Sequence, residues 1–399
     1  MTKRIYAQFP QENEYMAEFD FSTTKTLICA PGSSSRLSEL CKALDISNLM
    51  LVTDKGLLDA GIIQPIVSQL ETNKIKPLIF SDVIADPPEE VVIAAASSAK
   101  ENRIDGVLGL GGGSSMDVAK LIAVLAKGRL AIENCYGIDQ ISSDRLPLIL
   151  VPTTAGTGSE VTPISIVTTG KTTKTGVVSS RLLPDYAVLD AELTLNFPAQ
   201  VTAATGVDAM VHAIEAFTSK IKKNFYSDML AKQALSLLSQ NIGTAVKDGK
   251  NIKARQNMLL GSALAGQAFA NAPVAAVHAL AYPLGGHFHI PHGLSNALVL
   301  LPVLRINSRV VFEQYSELLE CFDSGCEDQT SVSRAETFID EMERIIDDVE
   351  LPRKLSDLDI GEQDLPLLAR DAMLQQRLLV NNPVDIQEKD ALAIYQSVF

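Results

Sequence analysis

All five histidines of this 399-residue chain fall between His212 and His292. Histidine is the commonest protein metal ligand and titrates nearest to neutral pH. Asp208 precedes His212 by four residues, so on a helix both side chains lie on one face, roughly 6 Å apart. His278 and His292 supply two further imidazoles. One carboxylate and three imidazoles in this pattern indicate a site for a divalent metal ion.

The segment between the last two candidate ligands must reverse direction. A straight helix would place His278 and His292 roughly 21 Å apart, which is too far to share one ion. His287 and His289 lie in the expected turn, where we predict that they line a cleft or form local hydrogen bonds. The residues expected to break the helix are Pro283, Gly285, Gly286 and Pro291.

Each candidate ligand also has a plainer interpretation. An Asp-x-x-x-His pair on a helix is often a surface pair, and a single buried histidine often has a hydrogen-bond partner. The joint pattern in an otherwise histidine-free chain favours a ligand set, and Glu215 is predicted to orient His212. Such a set suits Fe²⁺, Zn²⁺, Co²⁺ or Ni²⁺, and the absence of thiolates argues against a structural zinc site.

A glycine-rich segment in the first half is typical of phosphate binding. The apolar run 106–110 leads into Gly111, Gly112, Gly113 and Ser114, and a helix carrying Asp117 is predicted to follow. Glycine amides and a helix N-terminus can hold a pyrophosphate. Ser114 stands where the usual dinucleotide fingerprint has its third glycine, and no Walker lysine follows. A tight turn with a capping serine is the alternative.

Two other segments extend the predicted cofactor site. Asp54 ends a predicted strand, where an acid can accept hydrogen bonds from an adenosine ribose and repel a 2′-phosphate. Thr153, Thr154 and Ser159 lie in a Thr/Gly/Ser-rich loop after another apolar run. Such loops lie at the carboxyl edge of a sheet, where open α/β folds bind ligands. The alternatives are a helix cap for Asp54 and a plain surface loop.

These residues require two kinds of scaffold. Short apolar runs alternate with amphipathic stretches in the first half, which predicts an α/β domain with a parallel sheet over residues 1–194. Helical spacing dominates residues 195–399, beginning with a helix at 201–218, which predicts an all-helical domain without strands. The predicted strands are 49–53, 77–81, 106–110, 146–151 and 186–190.

Composition excludes several classes of protein. The net charge of −14 argues against nucleic-acid binding, and no uninterrupted apolar run of 18 residues or signal pattern is present. The five cysteines form no C-x-x-C pair, which favours free thiols in a reducing cytoplasm. Cys29 is predicted to be buried in the core. A metal or redox pair of Cys321 and Cys326 is the less favoured alternative.

The motifs together resemble the iron-containing, or group III, alcohol dehydrogenases. The resemblance spans nearly the whole chain and rests on GGGSSMDVAK, PTTAGTGSEVT, GVDAMVHAIEA, HALAYPLGGHFHIPHGLSNA and the RLLVNNP run from Arg377 to Pro383. It implies the two-domain architecture that dehydroquinate synthases share. It also implies metal ligands at Asp208, His212, His278 and His292, a pyrophosphate loop at 111–114, and a second cofactor loop with Thr153, Thr154 and Ser159. Lys174 matches a lysine near the cofactor, and Asp54 matches an acid associated with NAD over NADP.

The chain departs from the family pattern at two positions. Tyr282 stands where many members carry a further histidine near the substrate, and Val384 follows the Asn-Asn-Pro motif. The expected activity is hydride transfer between a small alcohol or aldehyde and NAD(H), with Fe²⁺ or Zn²⁺. The catalytic candidates are His292, Tyr282, His287 and His289. The candidate proton acceptors are water, the cofactor ribose, and His287 or His289. The alternatives are a maleylacetate-reductase-like or glycerol-dehydrogenase-like reductase, a dehydroquinate-synthase-like lyase, and a metal and nucleotide sensor. The family also suggests a homodimer or larger even assembly.

Overall fold

The computed structural model describes residues 18–170, 173–322 and 329–399. The first half contains a six-stranded sheet formed by β1 (Leu27–Cys29), β2 (Asn48–Asp54), β3 (Lys76–Val83), β4 (Gly106–Gly111), β6 (Leu148–Pro152) and β9 (Tyr186–Leu189). The strands are all parallel and have the order β1-β9-β6-β4-β2-β3. The predicted parallel sheet is therefore confirmed.

The centre of this sheet is formed by the most apolar runs of the first half. Residues 49–52 of β2 and every residue of β4 and β6 are buried, because helices cover both faces. The helices of this half are α1 (Leu37–Ala43), α2 (Lys55–Asp59), α3 (Ile63–Thr72), α4 (Glu89–Glu101) and α5 (Gly113–Lys127). β4 and β6 are neighbours, so the glycine-rich loop and the Thr/Gly/Ser-rich loop leave the same edge of the sheet side by side.

A second, three-stranded sheet was not predicted. It has the order β5-β8-β7 and consists of β5 (Gly137–Ile138), β7 (Ile164–Thr169) and β8 (Thr173–Val178). β7 and β8 are antiparallel, whereas β5 and β8 are parallel. Four of the twelve residues of β7 and β8 are threonines, which interrupt the apolar alternation that identifies a strand. This small sheet carries Lys174 towards the helical half.

The second half is helical, and among the described residues no strand follows Leu189. Its main core is one large apolar cluster built from these helices. The helices are α6 (Ala199–Thr218), α7 (Phe225–Lys247), α8 (Ile252–Asn271), α9 (Ala276–Phe288), α10 (His292–Leu318), α11 (Ser331–Asp348), α12 (Leu365–Ala372), α13 (Gln376–Leu379) and α14 (Glu388–Ser397). The domain boundary at 194/195 stays a prediction; it falls between the end of β9 and the start of α6.

Two predictions about local structure were wrong. Pro283 and the glycines after it do not break the helix, because α9 continues to Phe288 with Pro283 inside it. The chain instead reverses at residues 289–291, where His289 adopts a left-handed conformation. Cys29 is exposed rather than buried in the core. The four described cysteines are free thiols, and Cys326 lies outside the described residues.

α10 is the longest described helix, and its length and composition would suffice to cross a membrane. Sixty-seven per cent of its most apolar window is buried inside the protein, as in the core helix of a soluble protein. Its apolar character is therefore explained by its central position in the helical half, where it contacts α6, α9 and α11.

Candidate metal and cofactor site

Four side chains from three helices converge where the two halves meet. Asp208 and His212 lie on α6, His278 lies in the first turn of α9, and His292 begins α10. One potential ligand atom from each residue lies within 4.8 Å of those of the others. The ring centroids of His212 and His278 are 4.7 Å apart, and those of His278 and His292 are 5.3 Å apart. The structure thus brings together the four residues that the sequence predicted as metal ligands.

Hydrogen bonds on the outer side of two imidazoles fix their orientation. His278 Nδ1 donates to Glu215 Oε2 at 2.7 Å, and His212 Nδ1 donates to the carbonyl of Gly156 at 3.2 Å. Because both partners are acceptors, Nδ1 carries the proton in each ring and Nε2 keeps its lone pair. Glu215 therefore orients His278, not His212 as predicted from the sequence. Carboxylate and carbonyl partners of this kind are typical of metal-binding histidines.

Burial keeps the imidazoles of His212 and His292 neutral. It lowers the pKa of His212 to about 4, and the neighbouring His278 acts in the same direction, although Asp208 opposes it. Burial also lowers the pKa of His292. A neutral imidazole offers a lone pair to an ion at pH 7, whereas an imidazolium does not. The donor set, its convergence and its protonation therefore fit a divalent transition-metal ion.

Asn296 is a residue of this site that the sequence reasoning missed. Its Nδ2 donates to Asp208 Oδ1 at 2.5 Å and lies 3.3 Å from Nε2 of both His278 and His292. The signal was present, because Asn296 follows His292 by four residues and so shares its helix face. Asn296 is fully buried, and its role is to orient the Asp208 carboxylate.

Close contact between α6 and α10 brings His292 to Asp208. Gly293 lies against the backbone of α6, and a Cβ at this position would collide with the carbonyl oxygen of Ala204. Only glycine allows this approach without a shift of one helix. The glycine that follows His292 in the sequence is therefore explained by packing at the metal cluster.

The glycine-rich loop has the geometry of an anion cradle. Gly111 has a φ of 155°, and a Cβ there would lie 2.7 Å from the Ser115 side chain. Gly112 is the N-cap of α5, so the unpaired amides of that helix start at Gly113 and Ser114. Asp54 lies with these residues around one surface pocket. Its carboxylate also accepts a hydrogen bond from Leu57 N at 3.0 Å, so Asp54 is a helix cap as well.

Asp117 and Ser159 connect the two predicted cofactor loops to each other. Ser159 Oγ donates to Asp117 Oδ1 at 2.5 Å, and Asp117 also accepts from Ile166 N at 2.9 Å. The fully buried Lys120, which the sequence reasoning missed, donates to Ser159 Oγ at 2.7 Å and to the carbonyl of Ile164 at 2.6 Å. The Asp117 carboxylate therefore holds both the loop after β6 and the start of β7.

Thr153 and Thr154 lie at a different part of the boundary between the halves. They line a small pocket together with Thr202 and Arg255 from the helical half. Thr153 Oγ1 is buried and has no hydrogen-bond partner among the described residues. A buried hydroxyl without a partner is uncommon in native structures, so this atom is available to a ligand at the loop.

A cleft of about 190 Å³ joins the candidate metal cluster to the predicted cofactor loops. Its walls from the first half include Gly113, Ser114, Asp117, Ser159 and Lys174, and those from the helical half include His212, Phe269, His278, Tyr282, His292 and Arg377. His287 and His289 are not part of this lining. His287 Nε2 instead bonds to Asp371 at 2.6 Å, and His289 is exposed at the turn. The structure therefore places these two predicted proton-transfer candidates outside the cleft.

Two family models match the chain. The iron-containing alcohol dehydrogenase model covers residues 24–191, and the C-terminal model of the Fe-containing alcohol dehydrogenase family covers residues 202–399. The chain belongs to the iron-containing alcohol dehydrogenase family. It is 39% identical over 371 residues to a long-chain-alcohol dehydrogenase 1 of Geobacillus thermodenitrificans, covering 92% of this chain and 93% of that one. It is 35% identical to a 1,3-propanediol dehydrogenase of Citrobacter freundii, covering 96% and 99%.

Solved structures of this family share the fold. A 1,3-propanediol oxidoreductase superposes with a TM-score of 0.93 at 34% identity, covering 96% of this chain and 100% of the other. The sulfoacetaldehyde reductase of Bifidobacterium kashiwanohense, in complex with NAD⁺, superposes with a TM-score of 0.85 at 29% identity, covering 96% and 99%. The resemblance inferred from the motifs is therefore confirmed for both the family and the fold.

Proposed function

We propose that this alcohol dehydrogenase family member catalyses reversible hydride transfer between a small alcohol and NAD⁺ at a metal-dependent site. The observation that carries the proposal is a single cleft lined by the three histidines of the His/Asp cluster and by Gly113 and Ser114 of the glycine loop. Asp208, His212, His278 and His292 would hold the ion. A divalent metal in such a site supplies Lewis-acid polarisation of an alcohol or carbonyl oxygen.

The surrounding residues have supporting roles. Glu215 and Asn296 orient the ligands, and the ring of Phe269 stacks on His212 with centroids 4.4 Å apart, which shields the cluster from water. Gly111, Gly112, Gly113 and Ser114 would bind the pyrophosphate at the start of α5. Asp54 would accept hydrogen bonds from the adenosine ribose, which favours NAD over NADP.

The remaining cofactor candidates lie around the same boundary. Thr153 and Thr154 would bind the cofactor from the loop after β6, while Asp117 and Ser159 would hold that loop in place. Lys174 would bind the cofactor from β8. No unpaired carboxylate acts as an evident general base in the described cleft lining, so we propose that the substrate proton leaves through water or a ribose hydroxyl. This is consistent with the position of His287 and His289 outside the cleft.

The test is metal-dependent turnover. The purified protein is stripped of metal, reloaded with Fe²⁺ or Zn²⁺, and assayed by NADH absorbance with primary and secondary alcohols and with the corresponding aldehydes. We expect activity only in the reloaded protein, with Fe²⁺ as the family's metal and Zn²⁺ as the competitor. Equal turnover without metal, or none with any alcohol or aldehyde, would refute the proposal.

Two alternatives carry less support. A dehydroquinate-synthase-like lyase binds a phosphorylated, carboxylated substrate and needs several basic side chains. The described cleft lining has two, Lys174 and Arg377, and Lys174 is paired with Asp86 at 2.7 Å. A metal and nucleotide sensor would bind NAD without turnover.

We further propose a cytoplasmic location, in line with the four free thiols, and a homodimer or larger even assembly, which sedimentation would test.

A further inference from the structure

The cleft contains a cation whose charge no described carboxylate neutralises. Arg377 is the second residue of α13 and lines the cleft together with His292 and Tyr282. Within the described chain it forms no salt bridge, and its one hydrogen bond runs from Nη2 to the Tyr282 hydroxyl at 3.3 Å. Its guanidinium also lies near Gly176 of β8, where a larger side chain would come within 3.9 Å of it. Arg377 therefore spans from the helical half to the small sheet.

Tyr282 lies between this cation and the metal cluster. The Tyr282 ring centroid is 5.9 Å from that of His292, and the Arg377 guanidinium lies over the same ring at 5.8 Å. A cation over an aromatic face is attracted by the ring quadrupole. Tyr282 thus holds the guanidinium by its ring face and by its hydroxyl. One aromatic ring separates the candidate ligand His292 from a free positive charge.

The other charges of the cleft are already paired. Lys174 bonds to Asp86 at 2.7 Å, and Asp117 is surrounded by Ser159, the Ile166 amide and Lys120. Arg377 is therefore the cation in the described lining that has no carboxylate partner. A protein with a net charge of −14 has no general affinity for anions. A local positive charge beside the reacting centre therefore attracts anionic ligands to the cleft specifically.

We propose that the preferred substrates are short alcohols and aldehydes with a terminal oxyanion, either a carboxylate or a sulfonate, that Arg377 binds. Tyr282 is a positioning residue for Arg377. The proposal rests on the proposed function and specifies its substrate class. A hydride leaves the carbinol carbon for NAD⁺, the hydroxyl proton passes to water, and the terminal oxyanion is unchanged. The guanidinium fork matches the oxygens of either anion, which explains an arginine at this position.

Matched pairs of alcohols test the proposal. 3-Hydroxypropionate is compared with 1,3-propanediol, and 2-hydroxyethanesulfonate with 1,2-ethanediol, using metal-loaded protein and NAD⁺. We expect a higher kcat/KM for the anion in at least one pair, and the preferred pair distinguishes carboxylate from sulfonate. Arg377→Gln should lower the anion-to-diol ratio of kcat/KM roughly 10- to 100-fold, mainly through KM, because it removes a charge-assisted hydrogen bond. Arg377→Lys should restore part of the ratio.

Two further measurements separate this role from a structural one. Arg370→Gln, at an exposed position outside the cleft lining, should leave the ratio unchanged. Tyr282→Phe keeps the ring but removes the hydroxyl, so the KM of the anion should rise while its kcat changes little. Propionate and ethanesulfonate, which lack the reactive hydroxyl, should raise the Tm of the wild-type protein more than that of Arg377→Gln.

The outcomes are distinguishable. Faster turnover of the diols in both pairs, with no effect of Arg377→Gln on the ratio, would overturn the substrate class and leave the proposed function intact. A rise in the KM for NAD⁺ that is equal with anionic and neutral alcohols would assign Arg377 to the cofactor and overturn the inference. Loss of all turnover in the wild-type protein would instead refute the proposed function itself.

Discussion

Glu215→Gln is the substitution that most directly tests how the metal cluster is organised. The Glu215 carboxylate is buried and accepts three hydrogen bonds. Oε2 accepts from His278 Nδ1 at 2.7 Å and from Ala275 N at 2.9 Å, while Oε1 accepts from Val277 N at 2.6 Å. The same carboxylate therefore orients a candidate ligand and fixes the start of α9.

Glutamine cannot satisfy all three donors. Whichever way its amide is turned, the NH₂ group faces at least one N–H group, so at least one buried hydrogen bond is lost. Leaving a buried donor unsatisfied costs about 1–3 kcal/mol. The remaining bond to His278 also loses its ionic character, so the ring is held less firmly. We expect metal affinity to fall roughly 10- to 100-fold, as for other partners of metal-binding histidines.

Two measurements on one preparation test this prediction. Metal affinity is measured by competition with a chromophoric chelator, and unfolding of the metal-free protein is followed by circular dichroism. Glu71→Gln is the matched control, because Glu71 is exposed and forms no side-chain hydrogen bond or ion pair within the described chain. Unchanged metal affinity in a variant with reduced stability would refute the orienting role and leave Glu215 a purely structural residue.

Three further predictions concern the ligands and the cofactor loop. Asp208→Asn should reduce metal content, measured by mass spectrometry, more than Glu215→Gln does. Asp340→Asn, on the exposed surface of α11, should leave metal content unchanged. Full metal occupancy in Asp208→Asn would exclude Asp208 as a ligand. Gly111→Ala should weaken NAD⁺ binding in calorimetry and lower the free energy of unfolding by about 1–3 kcal/mol, because φ is 155° and the added Cβ would collide with Ser115. Unchanged NAD⁺ binding would refute the role of this loop as a pyrophosphate cradle. The free energy of unfolding of the metal-free protein should fall as the pH decreases from about 6.5 towards 4. In this range His212 takes up a proton in the unfolded chain but not in the folded protein, where its pKa is about 4. A free energy of unfolding that does not change with pH would contradict this.

Periodicity and glycine spacing were sufficient to predict the large elements. The parallel strands follow from short apolar runs that are buried on both sides, and the helical half follows from apolar spacing of three and four residues. The four metal candidates were predictable because histidine is rare in this chain and because Asp208 and His212 share one helix face. The strands, the helices and the Asp208–His212 pair were predictable because the pattern that indicates each one lies within a short stretch of sequence.

The rest depended on contacts that no local pattern encodes. α9 remains helical through Pro283, because tertiary packing outweighs the free-energy cost of a proline inside a helix. Glu215 lies on α6 with His212 but bonds to His278, which lies on α9. Arg377 and its neighbour Leu378 reach the cleft from α13, far along the chain from the other lining residues. The packing of α13 against α9, with the Arg377 guanidinium near β8, sets this position.

The loop after β6 physically links the proposed cofactor site to the candidate metal cluster. Its Gly156 carbonyl accepts the Nδ1 proton of His212, and Gly158 lies so close to Gly266 of α8 that a Cβ would approach it to 2.6 Å. The same loop carries Thr153 and Ser159. A ligand that shifts this loop therefore changes the orientation of a candidate metal ligand in the other half of the molecule. Because such coupling is reciprocal, metal occupancy should also change the affinity for NAD⁺.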